Sequence, residues 1–183
     1  MARHFKGSSF PHLHLKKNSL LFIPEDADGS PRLIAGYEDG SLRVWDPAPR
    51  REEHATPLSC TLLHREPLTS FDVSPATRRG ISSSADGQIR AWKLESSSIL
   101  PTTKEFEIAA RVGCVRLRAD GKLAVAGGCD GTVRLYGGRQ MTPLGTAQGH
   151  AEGVQCVAFD EDNSFAVGGK DRVISVWSLY KND

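Results

Sequence analysis

His64, Ser82 and Asp86 are the residue types of a nucleophilic triad: a hydroxyl to attack, an imidazole to take its proton and a carboxylate to orient the ring. Read alone, they suggest a hydrolase working through His64. The residues around Ser82 read GISSSADG, without the Gly-x-Ser-x-Gly elbow that lifts a nucleophilic serine out of its sheet. Nor does the sequence show a pair of oxyanion donors. Metal chemistry is no better served. Cys60, Cys114, Cys129 and Cys156 contain no Cys-x-x-Cys pair, and His4, His12 and His14 have no acid or cysteine nearby to complete a site. The expectation is therefore no catalytic residue, no metal and no cofactor.

Asp86 has another relationship, which repeats. Trp92 follows it by six residues, and the same interval separates Asp39 from Trp45, Asp130 from Tyr136 and Asp171 from Trp177. The aspartates recur at intervals of 47, 44 and 41 residues. Three of them begin an Asp-Gly pair set between alternating apolar runs, a strong hairpin signal because glycine takes positive φ freely. Each unit therefore reads as short strands joined by tight turns, and the fold class as all-β. Expected strands cover residues 19–24, 32–37 and 42–45 in the first unit and 58–63, 68–73, 80–84 and 89–94 in the second. In the third they cover 105–108, 113–118, 123–128 and 133–136. The four repeats span approximately 19–46, 57–94, 105–136 and 142–180. Residues 1–18 form a basic leading segment, flexible or with an edge strand at 10–15, and 47–57 and 96–103 are expected loops.

Composition narrows the partners. With 183 residues, a formal net charge of +1 and a pI near 7.7, the chain has no broad basic footprint for nucleic acid or an acidic membrane. No apolar run approaches the ~18 residues of a membrane span, and the N-terminus lacks a signal-peptide core. Cys114 and Cys156 occupy equivalent apolar positions, as small buried hydrophobes do. These features point to a reducing compartment, nuclear and/or cytoplasmic. Other proteins in a multisubunit complex are the expected partners, rather than nucleic acid, membrane or a small-molecule substrate.

Four units of this period resemble the blades of WD-repeat β-propellers. In that family a Gly-His histidine, a strand serine or threonine, the turn aspartate and the Trp form a buried hydrogen-bond chain. Carried over, the chain runs Trp92–Ser82–His64–Asp86. Repeat four has His150, Asp171 and Trp177 but Val167 at the serine position. Repeats one and three have Ala35 and Ala126 there and keep the motif residues Asp39, Trp45, Asp130 and Tyr136. The resemblance thus implies that only repeat two is complete, and that Asp86 matters more to stability than Asp39.

The segments LIAGYEDGSLRVWD, LAVAGGCDGTVRLY and GVQCVAFDEDNSFAVGGKDRVISVWSLY are similar to the C-terminal half of guanine nucleotide-binding protein β-subunit-like proteins, relatives of the fungal ASTRA-associated WD-repeat subunit. That likeness implies a noncatalytic scaffold, an adaptor in a chromatin-associated assembly or in the co-chaperone machinery that matures phosphatidylinositol-3-kinase-related kinases. It also implies that four blades are part of a seven-bladed ring, the alternative being a four-bladed ring that closes on itself with residues 10–15 as the outer strand of the last blade. The alternative to an adaptor is a substrate receptor of a cullin-type ubiquitin ligase. It is weakened because Trp45-Asp46-Pro47 continues with Ala48 where such receptors resemble one another in an arginine. Family geometry places the Asp-Gly turns on one rim and the loops after the Trp on the other. Residues 47–57, with Arg50, Arg51, Glu52 and Glu53, and residues 95–104 then share the second rim as a partner-binding surface.

Overall fold

The computed structural model describes residues 17–23, 29–47, 56–107, 111–160 and 164–179. The proposed edge strand at 10–15 and the Arg50–Glu53 stretch lie outside the described residues. Among those described there is no helix. The strands form four antiparallel sheets. The first holds β1 (Lys17–Ile23), β2 (Arg32–Tyr37), β3 (Ser41–Trp45) and β4 (Ser59–Leu62) in that order. The second holds β5 (Leu68–Ser74), β6 (Arg79–Ser84), β7 (Gln88–Glu95) and β8 (Ser98–Glu107). The third holds β9 (Val112–Leu117), β10 (Leu123–Gly128), β11 (Thr132–Gly137) and β12 (Thr142–Gln148). The fourth has β13 (Val154–Phe159), β14 (Ser164–Gly169) and β15 (Ile174–Ser178). Each sheet is an up-and-down meander, and the four make a β-propeller arrangement of blades.

One expectation needs correction. The stretch 96–103 is not a loop: Ser96 and Ser97 take φ of 45° and 65° in a tight turn, and the chain returns at once as β8. Serine tolerates this poorly next to glycine or asparagine, so turn chemistry did not mark the hairpin. Residues 95–104 therefore form no long rim loop. Sequence repeat and blade are offset in phase. β4 and β12 belong by sequence to the unit that follows them but pair with β3 and β11. The first and third blades thus take their outer strand from the start of the next repeat, which ties consecutive blades covalently across their joint.

Strand composition follows depth. In β10, Leu-Ala-Val-Ala-Gly-Gly is buried throughout because both sheet faces are covered, whereas β4 and β12 at the outer edge are half or fully exposed. The core lies between blades. Ile34, Leu42 and Val44 of the first meet Phe71, Val73 and Trp92 of the second. Ile81 and Ile89 meet Val115, Leu117 and Tyr136. Val125 and Val133 meet Val157, Phe165 and Val167. Polar bonds stitch the same joints. The Thr69 hydroxyl donates to the Val112 carbonyl (3.0 Å), and the Leu117 N–H donates to the Asp72 carboxylate (2.9 Å). The Ser74 hydroxyl donates to the Ala119 carbonyl (2.6 Å). Burial pushes the Asp72 carboxyl above its ordinary value, against the bond from Leu117.

Within the second blade Trp92, 1% exposed, lies flat against Gly80: a Cβ built there would sit 2.2 Å from the indole ring. Gly80→Ala must displace the ring or the strand, and overpacking of this kind costs about 1–3 kcal/mol. Gly145, with nothing within 4 Å of its Cβ position, is the control. The expected result is a clear fall in the urea midpoint for Gly80→Ala and little change for Gly145→Ala.

Candidate functional site

The turn aspartates and the histidines singled out in the sequence lie along one rim, where the β2–β3, β6–β7, β10–β11 and β14–β15 turns meet the segments that enter a blade. All four aspartates do the same local job. The Oδ1 of Asp39, Asp86, Asp130 and Asp171 accepts the backbone N–H two residues on, at 2.9, 2.9, 3.1 and 3.1 Å. Each carboxylate thereby closes its own hairpin. Gly40 and Gly131, at φ +78°, complete two of these turns and bring their carbonyls to the incoming strand. The N–H of His64 donates to the Gly40 carbonyl (3.1 Å) and that of His150 to the Gly131 carbonyl (3.3 Å). In the fourth unit Arg172, at φ 65°, stands where the others have glycine.

Beyond the turn the four units diverge. In repeat two His64 Nε2 lies 2.9 Å from Ser82 Oγ, both side chains buried. Asp86 does not complete the chain: its Oδ1 is 3.9 Å from His64 Nδ1, too far for a hydrogen bond. Neither His64 Nδ1 nor Trp92 Nε1 has a hydrogen-bond partner among the described residues. The implied Trp92–Ser82–His64–Asp86 chain is present only at its middle link. Burial depresses the His64 imidazole to about 4, with Asp86 partly opposing and Arg90 reinforcing the shift.

The complete chain is in repeat four, where the serine position seemed vacant. His150 Nδ1 lies 3.0 Å from Asp171 Oδ1, His150 Nε2 lies 3.0 Å from Ser175 Oγ, and Trp177 Nε1 donates to Ser175 Oγ at 2.9 Å. The carboxylate accepts from Nδ1–H, the Ser175 hydroxyl donates to Nε2, and its oxygen accepts the indole N–H. Every member is satisfied. Ser175 comes from β15, not from the strand carrying Val167, so counting along β14 missed it. The signal was legible four residues past the aspartate, where the other units carry Arg43, Arg90 and Arg134.

Those arginines explain the remaining units. Arg43 donates to Asp39 Oδ2 (2.7 Å) and packs 4.3 Å over the Tyr37 ring. Arg134 donates to both oxygens of Asp130 (3.2 and 2.7 Å) and holds that carboxyl down at about 2. Arg90 turns away from Asp86 to Gln88 Oε1 and the Leu63 carbonyl. Asp39, bound by Ser41 and Arg43, is therefore better connected than Asp86, the reverse of the order implied by the resemblance.

The same geometry disposes of the triad. Ser82 is fully buried and His64 is 1% exposed, so no substrate reaches the hydroxyl, and the base lacks its orienting carboxylate. Among the described residues no group of three or more His, Cys, Asp or Glu side chains is placed to hold a metal ion.

A family model, "WD domain, G-beta repeat", matches residues 25–46, 56–93, 103–137 and 141–178. The chain belongs to the WD-repeat family. Among its WD-repeat relatives, guanine nucleotide-binding protein subunit beta-like protein 1 of Mus musculus is 36% identical over 151 residues, 82% of this chain and 45% of its own length. ASTRA-associated protein 1 of Schizosaccharomyces japonicus is 29% identical over 179 residues, 92% of this chain and 46% of its own. The chain thus spans somewhat less than half the length of these two relatives. The crystal structure of the computationally designed protein Ika4 superposes with a TM-score of 0.74 at 19% identity, over 97% of this chain and 100% of that one, a likeness of fold alone.

Two measurements probe the rim. Ser175→Ala leaves both Trp177 Nε1 and His150 Nε2 without a partner, and losing such contacts costs about 1–3 kcal/mol, read as a lower urea midpoint. For His64 the sign is that of a group whose folded pKa is depressed: its contribution is complete above pH 6.5 and disappears as pH falls toward 4. A shift of this size corresponds to about 3 kcal/mol. His64→Gln is expected to flatten the fall in stability across that interval, measured by urea unfolding at successive pH values.

Proposed function

We propose that this WD-repeat chain is a noncatalytic scaffold: an adaptor in an ASTRA-like chromatin-associated assembly and in the co-chaperone machinery that matures phosphatidylinositol-3-kinase-related kinases, acting in the nucleus and cytoplasm. The observation that carries the reading is likeness to ASTRA-associated protein 1 across 92% of the chain, joined to a rim whose polar residues are used internally. Carboxylates and imidazoles that close hairpins and tie strands are unavailable for general acid–base work, and a rigid set of blades displaying loops suits partner binding.

The partner surface proposed is the rim opposite the Asp turns, centred on Arg50, Arg51, Glu52 and Glu53. Charges of both signs there give register and steering more than raw affinity. Replacing residues 50–53 by Gly-Ser is expected to weaken co-precipitation of the kinase co-chaperone subunits from cell extract, detected with antibodies against those subunits. The thermal midpoint should stay within about 2 °C, as for neutral surface changes. Unchanged capture, with loss on substituting exposed residues of the Asp-turn rim, would place the binding face on the other side.

A further inference from the structure

On the rim opposite the Asp turns, three turns of the second and third blades interlock: β5–β6, β9–β10 and β11–β12. Gly121, at φ +67°, lets the β9–β10 turn pack on Thr77, where an added Cβ would lie 2.4 Å from Oγ1. The Gly138 N–H donates to the Lys122 carbonyl (2.7 Å), and a Cβ on Gly138 would meet the Gly121 carbonyl oxygen at 2.2 Å. The two turns of the third blade therefore touch backbone to backbone. Met141, in the β11–β12 turn, is 1% exposed and packs in the core with Ile81 and Tyr136. Arg79 reaches across the joint, its Nη1 donating to the Arg139 carbonyl (3.3 Å). Two adjoining clefts lie between these turns. One, of about 560 Å³, is lined by Lys122, Gly137, Arg139, Gln140 and Thr142. The other, of about 170 Å³, shares Lys122 and Arg139 and adds Thr77, Arg79, Asp120 and Gly121.

We propose, on the reading of the chain as a partner-binding scaffold, that these clefts together seat an acidic segment of a partner protein, extended and rich in aspartate and glutamate. The side chains lining them include three cations, Arg79, Lys122 and Arg139, against one carboxylate, Asp120. That carboxylate is already matched. Arg118 donates to both of its oxygens (3.0 and 2.8 Å), and this guanidinium holds the carboxyl below its ordinary value. Three positive charges thus stand in excess at one place on a chain whose net charge is only +1. The wall carries an unmet polar group besides its cations: Thr77 Oγ1 is buried and has no hydrogen-bond partner among the described residues. Gln140 and Thr142, both exposed, add amide and hydroxyl groups able to bond a segment's backbone. A cleft of about 560 Å³ has the size of a site for several side chains and far exceeds a single inorganic anion. Three cations on a nearly neutral chain make no track for a nucleic-acid backbone, whose binding rests on many phosphate contacts.

Fluorescence anisotropy with the purified full chain is expected to show binding of a short fluorescein-labelled peptide of alternating glutamate and serine, and none of its glutamine counterpart. Added salt should weaken the complex, because exposed charges are screened. Lys122→Glu and Arg139→Glu should each lower the affinity about tenfold. Both side chains are exposed, so the urea midpoint should be retained. Arg65→Glu makes the same charge change at an exposed position beside His64, on the other rim, and is expected to leave binding as it was. Equal weakening by Arg65→Glu would reduce the effect to overall charge and overturn the proposal. So would absence of binding, equal affinity for the glutamine peptide, or displacement by inorganic phosphate or a single-stranded DNA oligonucleotide at the peptide's own concentration. These measurements use the purified chain alone, so a failed cleft is told apart from failed co-precipitation of the co-chaperone subunits, which is read in cell extract.

Discussion

A sheet of four strands, each of about five or six residues, cannot bury its apolar side chains within itself; it needs a second sheet against its face. That requirement organises this chain. Leu42 and Val44 find Phe71 and Trp92, and Ile89 finds Val115 and Tyr136. Each blade is stable because its neighbour is present, as in other repeat proteins, where stability is a sum of unit and joint terms. Polar bonds contribute at the same places. Asp72 shows their cost: it accepts the Leu117 N–H while burial works against its charge. Hydrogen bonds of this kind fix the angle and register of a joint whose driving force is apolar.

The rim network is secondary to those joints, and its variation shows why it can vary. A turn aspartate has to cap its hairpin, and all four do. What the second carboxylate oxygen binds is open to substitution. Arg43 and Arg134 supply a cation to Asp39 and Asp130, and His150 supplies a ring nitrogen to Asp171. Asp86, with neither, leaves His64 buried with a single bond. These are different ways of satisfying one buried or half-buried acceptor, and none requires the full four-residue chain. Exposed ion pairs of this sort are individually weak. The blades hold together whichever version is present.

Much of this was readable in the residues. The Asp-to-aromatic interval of six located all four hairpins, because a tight turn between two pleated strands fixes the number of residues between its acid and the ring that packs behind it. The all-β architecture and most strand limits followed from alternation. Three things did not. The β7–β8 hairpin turns on Ser96 and Ser97, which lack the glycine or asparagine that announces positive φ. The outer strand of the first and third blades is fixed by pairing across a repeat boundary, and periodicity records the period without its phase. Ser175 reaches His150 from the neighbouring strand: residues on adjacent antiparallel strands lie closer in space than their spacing along either strand suggests. Linear counting finds Val167 and stops.

Open blade faces and incomplete networks have different consequences, and magnitude separates them. An unpartnered imidazole nitrogen or indole N–H costs on the order of 1–3 kcal/mol in one place and leaves the surrounding packing intact. An uncovered blade face forgoes burial of several large side chains at once, at roughly 1.5–3 kcal/mol each. Repeat two can therefore tolerate the missing Asp86 link, because Trp92 and Phe71 remain packed between two blades. The fourth blade has the opposite combination. Its His150–Asp171–Ser175–Trp177 chain is complete, while Ile174 and Val176 beside it stand in solvent. Ser175 and the exposed pair alternate along the same strand, facing opposite sides of it. The side toward the third blade is finished in both its polar and its apolar contacts. Its other side is open at Ile174 and Val176, and β15 has no strand outside it among the described residues; bonds on the finished side cannot substitute for either contact.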